Sequence, residues 1–302
     1  MEKVPYYSLN NYLRERFGCK VLKLSLDAGC TCPNRDGTLD TRGCIFCSAG
    51  GSGDFAGDRT LPIKEQLRLG KEFIKAKNPK QEEVKYIAYF QAFTNTYGEL
   101  CKLKEKWLEA IDDPDVCCIS IATRPDCLEE EKIAALAELN KIKPVWVELG
   151  LQTVKEESIE YIRRGYPTEV YDGAVKRLTE AGIDVITHVI LGLPGETRED
   201  MLMTVDFVAH SGSKGIKLQL LHVLKHTDLC KDYETGKFKT LSLDEYLDIV
   251  SEAIKLLPED MVVHRLTGDG DKKILVAPMW SADKKRVLNT FRERLEPVGK
   301  NW

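Results

Sequence analysis

Six times along the chain an apolar run of five to seven residues is followed by a stretch of helical periodicity, and this alternation restricts the fold more than any other feature. The runs lie at 21–26, 84–90, 116–121, 145–149, 184–190 and 215–221. Helices are expected from Pro62, a favoured first-turn residue, and at 99–111, 128–140, 156–162, 168–181, 198–210 and 242–257. Near-continuous apolar strands alternating with helices predict a parallel sheet covered by helices. No strand leads into a G-x-G-x-x-G turn, which removes the main reason to choose an open dinucleotide-binding sheet. The expected fold is therefore α/β, a partial (β/α)6 TIM-like barrel. A long cysteine-bearing loop follows its first strand. The core spans about 20–260, and an extension of about 261–302 adds short strands at 261–266 and 273–276 and a basic helix at 282–295. A barrel of this size forms one unit, so residues 1–302 are read as a single domain.

The loop after the first run carries Cys30, Cys32, Cys44 and Cys47, four of the ten cysteines, within 18 residues. Cys32, Cys44 and Cys47 form a C-x11-C-x2-C array, and a Gly-rich segment at 49–53 follows. Thiolates select zinc, copper(I) or iron–sulfur clusters. Four cysteines could close a structural zinc site, although C-x-C is an unusual half of one. Three on a four-iron cluster would leave one iron open to a ligand. Disulfides are not expected. No apolar run approaches 18 residues, and the first 18 residues lack the apolar centre of a signal peptide. The protein is thus expected to be cytoplasmic, with no membrane partner, where clustered cysteines bind metal or do redox chemistry.

In parallel barrels chemistry sits where strands end, and polar residues recur at those positions. Gln91, Thr94, Asn95 and Thr96 follow the second run, and Thr123, Arg124 and Asp126 the third. Glu148 lies in the fourth run, which leads to Gln152. His188 lies in the fifth, ahead of Gly192, Gly195 and Glu196, and Gln219 in the sixth, ahead of His222 and His226. Singly, these could be helix caps or partnered core groups. Five such places in register with a cysteine loop point to a site.

Taken together, these motifs resemble the radical S-adenosylmethionine (SAM) superfamily, in its branch related to the Elongator catalytic subunit. The resemblance rests on T-C-P-N-R-D-G at 31–37, F-Q-A-F-T-N-T-Y at 90–97, I-A-T-R-P-D at 121–126 and E-L-G-L-Q at 148–152. H-V-I-L-G-L-P-G-E at 188–196, H-R-L-T-G-D at 264–269 and A-P-M-W at 277–280 extend it over nearly the whole chain. It implies that Cys32, Cys44 and Cys47 ligate a [4Fe–4S] cluster whose open iron binds SAM. One electron from an external donor then yields a 5′-deoxyadenosyl radical. The branch usually has an aromatic residue in place of Cys30. By the same resemblance Gln152 and Arg164, twelve residues apart, contact the methionine part of SAM. Thr94, Asn95 and Thr96 contact its amine, and His188 its ribose.

For substrate, the resemblance implies a transfer RNA at the C5 side chain of its wobble uridine, with carboxymethylaminomethyluridine converted to aminomethyluridine. A radical enzyme acting on a small metabolite or a protein stays open, as does a non-catalytic four-cysteine zinc protein. The net charge of −4 does not announce a nucleic-acid binder, yet residues 272–302 hold eight Lys/Arg against three acids. Such a segment can dock phosphates, or it can be a solvated helix face.

Overall fold

The computed structural model describes residues 4–77, 84–268 and 270–295. Asp269 of the H-R-L-T-G-D motif, and Glu296 and Lys300 of the basic tail, lie outside them. Helix α1 (Leu9–Phe17) leads into β1 (Lys20–Leu26) and, beyond the cysteine loop, α2 (Ile63–Lys77). There follow β2 (Val84–Phe90), α3 (Leu100–Ile111), β3 (Val116–Thr123), α4 (Glu130–Asn140) and β4 (Val145–Gln152). Next come α5 (Glu156–Tyr161), α6 (Thr168–Glu180), β5 (Asp184–Leu191), α7 (Arg198–His210) and β6 (Gly215–Leu220). The chain continues through β7 (Val223–Leu224), α8 (Asp228–Glu234), α9 (Leu243–Leu256), β8 (Val262–Arg265), β9 (Leu275–Ala277) and α10 (Lys284–Arg294).

The main sheet runs β1-β2-β3-β4-β5-β6-β8, with every neighbouring pair parallel, and forms a partial TIM-like barrel. It has seven strands where sequence periodicity counted six. The seventh, β8, comes from the stretch assigned to the extension and pairs Gly215 with Val262 and Ile216 with Val263. Its other side meets the N-terminal segment, where the Val263 N–H donates to the Tyr7 carbonyl at 2.8 Å. Outward-facing residues such as Leu24, Phe90, Ile119, Val147, Val185 and Leu218 pack under the helices in one large core. Val287 and Phe291 of α10 join that core. Capping boxes at Thr197/Asp200 and Ser242/Glu245 fix where α7 and α9 begin.

Inside the sheet, alternate residues of each strand form tiers. Val21, Ile87, Cys118, Trp146 and Ile186 make the lowest, and Leu13 of α1 packs against them. The Trp146 ring lies 5.9 Å from Tyr12 and 5.4 Å from His264, so α1 and β8 plug this end with aromatic contacts. Two residues further along each strand the tier changes character to Lys23, Tyr89, Ser120, Glu148 and His188. The next contains Gln91, Ala122, Gly150, Ile190 and Gln219, all facing a cavity of about 260 Å³ at the C-terminal ends of the strands.

Candidate functional site

The cysteine loop is pinned to the barrel from several sides. Gln66 of α2 accepts from the Asp27 N–H at 3.0 Å and donates to the Asp27 and Leu61 carbonyls, closing the loop's two ends. Arg35 donates to the Cys47 and Ser48 carbonyls at 3.0 and 2.6 Å. Asn34, buried, donates to the Arg163 carbonyl at 2.8 Å and to Cys44 Sγ at 3.5 Å. The Gly-rich segment lies flush on the loop after β2. A Cβ on Gly51 would sit 2.4 Å from the Phe93 ring and one on Gly53 2.4 Å from Ala92 Cβ, so only glycine permits this approach.

Cys32, Cys44 and Cys47 line the cavity together, whereas Cys30 lies in the main core beside Leu26 and Ala28. Burial pushes the Cys30 thiol up to about 11. Burial and then the neighbouring Cys47 push Cys44 up to about 12, so a thiolate there needs a metal to hold it. The donor set fits an iron–sulfur cluster. Three thiols share one wall, and Asn34 and Ser52 stand by the sulfurs of Cys44 and Cys47 as hydrogen-bonding partners. Among the described residues no three His, Cys, Asp or Glu side chains gather tightly enough for a single metal ion. Ala122 and Gly150 line the same cavity, and a Cβ on Gly150 would sit 2.7 Å from Gln152 Nε2.

Of the residues expected to contact SAM, Thr94, Gln152, Arg164 and His188 reach the cavity wall. Gln152 closes β4 at φ +65°, and its buried Oε1 has no protein partner, an acceptor left for a ligand. Asn95 and Thr96 sit behind the wall. Asn95 Nδ2 donates to the Phe90 and Ala122 carbonyls at 3.0 and 2.9 Å. The Thr96 hydroxyl bonds the Thr123 hydroxyl and the Cys127 carbonyl. They brace β2 against β3.

The guanidinium of Arg164, which the resemblance places against the methionine part of SAM, is occupied by protein groups. It donates to the carbonyls of Leu151, Thr153 and Tyr166 at 2.8, 2.8 and 2.9 Å and to the Thr168 hydroxyl at 3.1 Å. Only 2% of the residue is exposed. In this arrangement Arg164 fastens the end of β4 to the loop before α6. Arg124, the other guanidinium stacked on Tyr166, forms a bidentate pair with Asp126 at 2.9 and 2.7 Å.

Beneath the small residues lies a charged layer that sequence reasoning saw only in part. Glu148 accepts from Ser120 Oγ at 2.7 Å and Lys23 Nζ at 3.1 Å, bonds His188 Nε2 at 2.7 Å, and pairs with Lys217. Burial alone would raise its carboxyl, but Lys217, Lys23 and the His188 hydrogen bond outweigh it and hold Glu148 well below the ordinary carboxylate range. Burial and then Lys217 push His188 down to about 4, against the pull of Glu148, so the imidazole is neutral. Nε2 then carries the proton toward Glu148, and Nδ1 accepts from Gln219 Nε2 at 3.1 Å. Lys217 also donates to the Tyr89 hydroxyl at 3.2 Å. Lys23 and Lys217 escape a reading of the sequence because lysine is normally a surface residue. Their period-two spacing with Ser25 and Gln219 is the signal that could have found them.

The profile of the radical SAM superfamily matches residues 41–208, and that of the radical SAM C-terminal domain matches residues 213–297. YtqA of Bacillus subtilis is 47% identical over 294 residues, covering 97% of this chain and 90% of the relative. A tRNA uridine(34) acetyltransferase of Methanocaldococcus jannaschii is 28% identical over 179 residues, or 58% of this chain and 32% of that protein. Among solved structures, archaeal Elp3 of Methanocaldococcus infernus, lacking residues 1–46, superposes with a TM-score of 0.65 at 19% identity. That superposition takes in 85% of this chain and 59% of the Elp3 chain, so it is the fold that is shared. With a cavity lined by three cysteines at the C-terminal ends of a partial parallel barrel, the chain belongs to the radical SAM superfamily, enzymes that use a [4Fe–4S] cluster and SAM.

Proposed function

We propose that this enzyme acts on the C5 side chain of the wobble uridine of transfer RNA, converting carboxymethylaminomethyluridine to aminomethyluridine. The observation that carries the reading is the similarity, over 58% of the chain, to an enzyme named for uridine 34 of transfer RNA. Cys32, Cys44 and Cys47 hold the cluster, and Cys30 packs in the core. When bound, cluster and SAM supply a carbon-centred radical that takes hydrogen from the substrate.

The chain's own residues hold and shield these partners. Gln152 offers its unpaired carbonyl oxygen to SAM. Thr94 and His188 stand on the wall where SAM and the flipped base meet. Asn95, Thr96 and Arg164 keep the strand ends in place. Anticodon-loop bases are already unpaired, so turning the wobble base into the barrel mouth requires little unstacking. The exposed basic face of α10 supports the RNA backbone, an external one-electron donor supplies reducing equivalents, and the substrate places the enzyme in the cytoplasm. Among the described residues no helix is long and apolar enough to cross a membrane.

Nucleoside digests of transfer RNA from cells with and without the gene test the reading. Loss of the gene should deplete aminomethyluridine and its derivatives and accumulate carboxymethylaminomethyluridine. Identical digests would send the search to small metabolites or protein side chains.

A further inference from the structure

Among the described residues five phenylalanine and tyrosine rings line the cavity, and four of them already have partners. The amino groups of Lys217 and Lys23 lie over Tyr89, at 4.5 and 4.9 Å from its centroid. The guanidinium groups of Arg164 and Arg124 lie over Tyr166 at 4.7 and 4.9 Å, and those of Arg59 and Arg35 over Phe93 at 5.4 and 5.9 Å. Phe46 packs against the apolar cluster that contains Ile45 and Ile162. Phe55 is the exception. Among the described residues no ring and no Lys or Arg side chain lies over it, and 56% of the residue is exposed. Eight large apolar residues are exposed among the described ones, and Phe55 alone of them lines the cavity.

The backbone that carries this ring is pinned on both sides. Asp54 accepts from Ser48 Oγ at 2.8 Å, the Ala56 N–H donates to the Gly53 carbonyl at 2.8 Å, and the Gly57 N–H donates to the Ser25 carbonyl of β1 at 2.9 Å. A single apolar side chain on an open surface needs no explanation. This one is held at the mouth of a binding cavity, where little freedom remains to be lost when a ligand covers it.

We infer that Phe55 is a stacking platform for a nucleobase of the substrate RNA, placed where the RNA leaves the cavity. The inference deepens the proposed function, on which it rests for the class of substrate. Every base has a flat π-face, and unpaired bases stack on aromatic side chains. A base that turns into the cavity leaves its stack, and its neighbour in the loop loses a face; a ring at the mouth replaces such a contact. A cofactor held against the thiols lies inside the cavity, whereas a ring more than half exposed is covered by a ligand that extends out through the mouth.

Anticodon stem-loops carrying carboxymethylaminomethyluridine are titrated into the full-length protein loaded with cluster and SAM. Phe55→Ala should weaken binding roughly 5- to 150-fold, the range for one base stacked on one ring. Phe55→Leu, which keeps an apolar side chain without a ring, should lose most of the affinity, and Phe55→Trp should retain it. Three further stem-loops lack the base at the wobble position or at one of its two neighbours. On one of these Phe55→Ala should cost nothing more, because the stacked base is already gone. Wild-type affinity of Phe55→Ala or Phe55→Leu, or an undiminished loss on all three abasic loops, overturns the inference and leaves the transfer-RNA reading standing. SAM affinity without RNA should be the same in Phe55→Ala and wild type, and a loss matching that for the stem-loop would give the ring to the cofactor and overturn the inference.

If the wild type binds no stem-loop, the transfer-RNA reading fails and a small probe decides. The indole emission added by Phe55→Trp is followed while the trinucleotide UpUpU or ribose 5-phosphate is titrated in. Quenching by the trinucleotide alone upholds a platform for bases of another RNA, and equal responses to both probes overturn it.

Discussion

The floor and the rim of the barrel are carried by the same strands, two to six residues apart, yet they are assembled by different physics. At the floor, Trp146, Tyr12 and His264 close one end by ring contacts, and directly above them Glu148 gathers ligands from four other strands. Both carboxylate oxygens of Glu148 have protein partners. At the rim, small residues Ala122 and Gly150 line the cavity, Gln152 leaves an acceptor open, and three thiols converge from a loop that is neither helix nor strand. A floor built this way fixes buried charges in place, and a rim built this way leaves polar groups open to a ligand. Substitutions should therefore divide, with rim changes removing chemistry and lower changes removing stability.

The largest expected effect tests the rim. Cys32→Ala, Cys44→Ala or Cys47→Ala should each lose most of the iron and all 5′-deoxyadenosine formation after anaerobic reconstitution. Cys30→Ala should keep both, because Cys30 packs in the core as an inert buried thiol. Cys30 and Cys32 lie two residues apart, yet one packs in the core and the other lines the cavity, so this pair is the discriminating one. An active Cys32→Ala enzyme, or an iron-poor Cys30→Ala enzyme, would reverse the assignment of the first ligand.

Arg164 lies at the border of the two regimes. Arg164→Ala strands the carbonyls of Leu151, Thr153 and Tyr166, and each buried acceptor left unpaired costs about 1–3 kcal/mol. Denaturant unfolding should show a destabilisation of about 3 kcal/mol or more. An unchanged midpoint with weakened SAM binding would move Arg164 to the ligand-holding side.

His188 offers a pH-dependent measure of the floor. Its folded value, about 4, lies below the ordinary histidine value of about 6.5. Between these values the unfolded chain binds more protons than the folded one, so stability rises with pH across the window. The contribution is full above about pH 6.5 and disappears as pH falls toward 4, up to roughly 3 kcal/mol. His188→Gln should flatten that part of the stability profile, and a slope as steep as in the wild type would assign it to other groups.

Much of the molecule is legible in its sequence, for identifiable reasons. The strands β2 to β6 announce themselves because both faces are buried, which leaves continuous apolar runs such as V-K-Y-I-A-Y-F. The seventh strand, Val262–Arg265, falls to the extension in a sequence reading because four residues without a following helix give no β-α signal. Helix α1 escapes such a reading because L-N-N-Y-L-R-E-R-F is mostly polar and buries only a narrow face. At the site, residue type tells which side chains could serve, but not which way they turn. Asn95, Thr96 and Arg164 look like ligand-holding residues in sequence, and each of their neighbouring carbonyls has an equal claim on them. The cationic layer is hidden for the opposite reason, since Lys23 and Lys217 interrupt apolar strands with the residue least expected inside.

The smallest expected effect lies outside both regions, on α10. Lys284, Lys285 and Arg286 form its exposed first turn, after the Asp283 cap and ahead of buried Val287 and Phe291. Three cations at a helix N-terminus oppose the macrodipole, so the dipole does not favour them there. Phosphate binding does, provided RNA approaches from this side. Replacing all three with glutamine should reduce stem-loop affinity modestly and flatten the plot of log affinity against log salt. Every phosphate that the variant no longer neutralises should lower the slope by about 0.7–0.9. A triple variant with wild-type affinity and salt slope would make this turn a solvated face and move the RNA path to the cavity mouth.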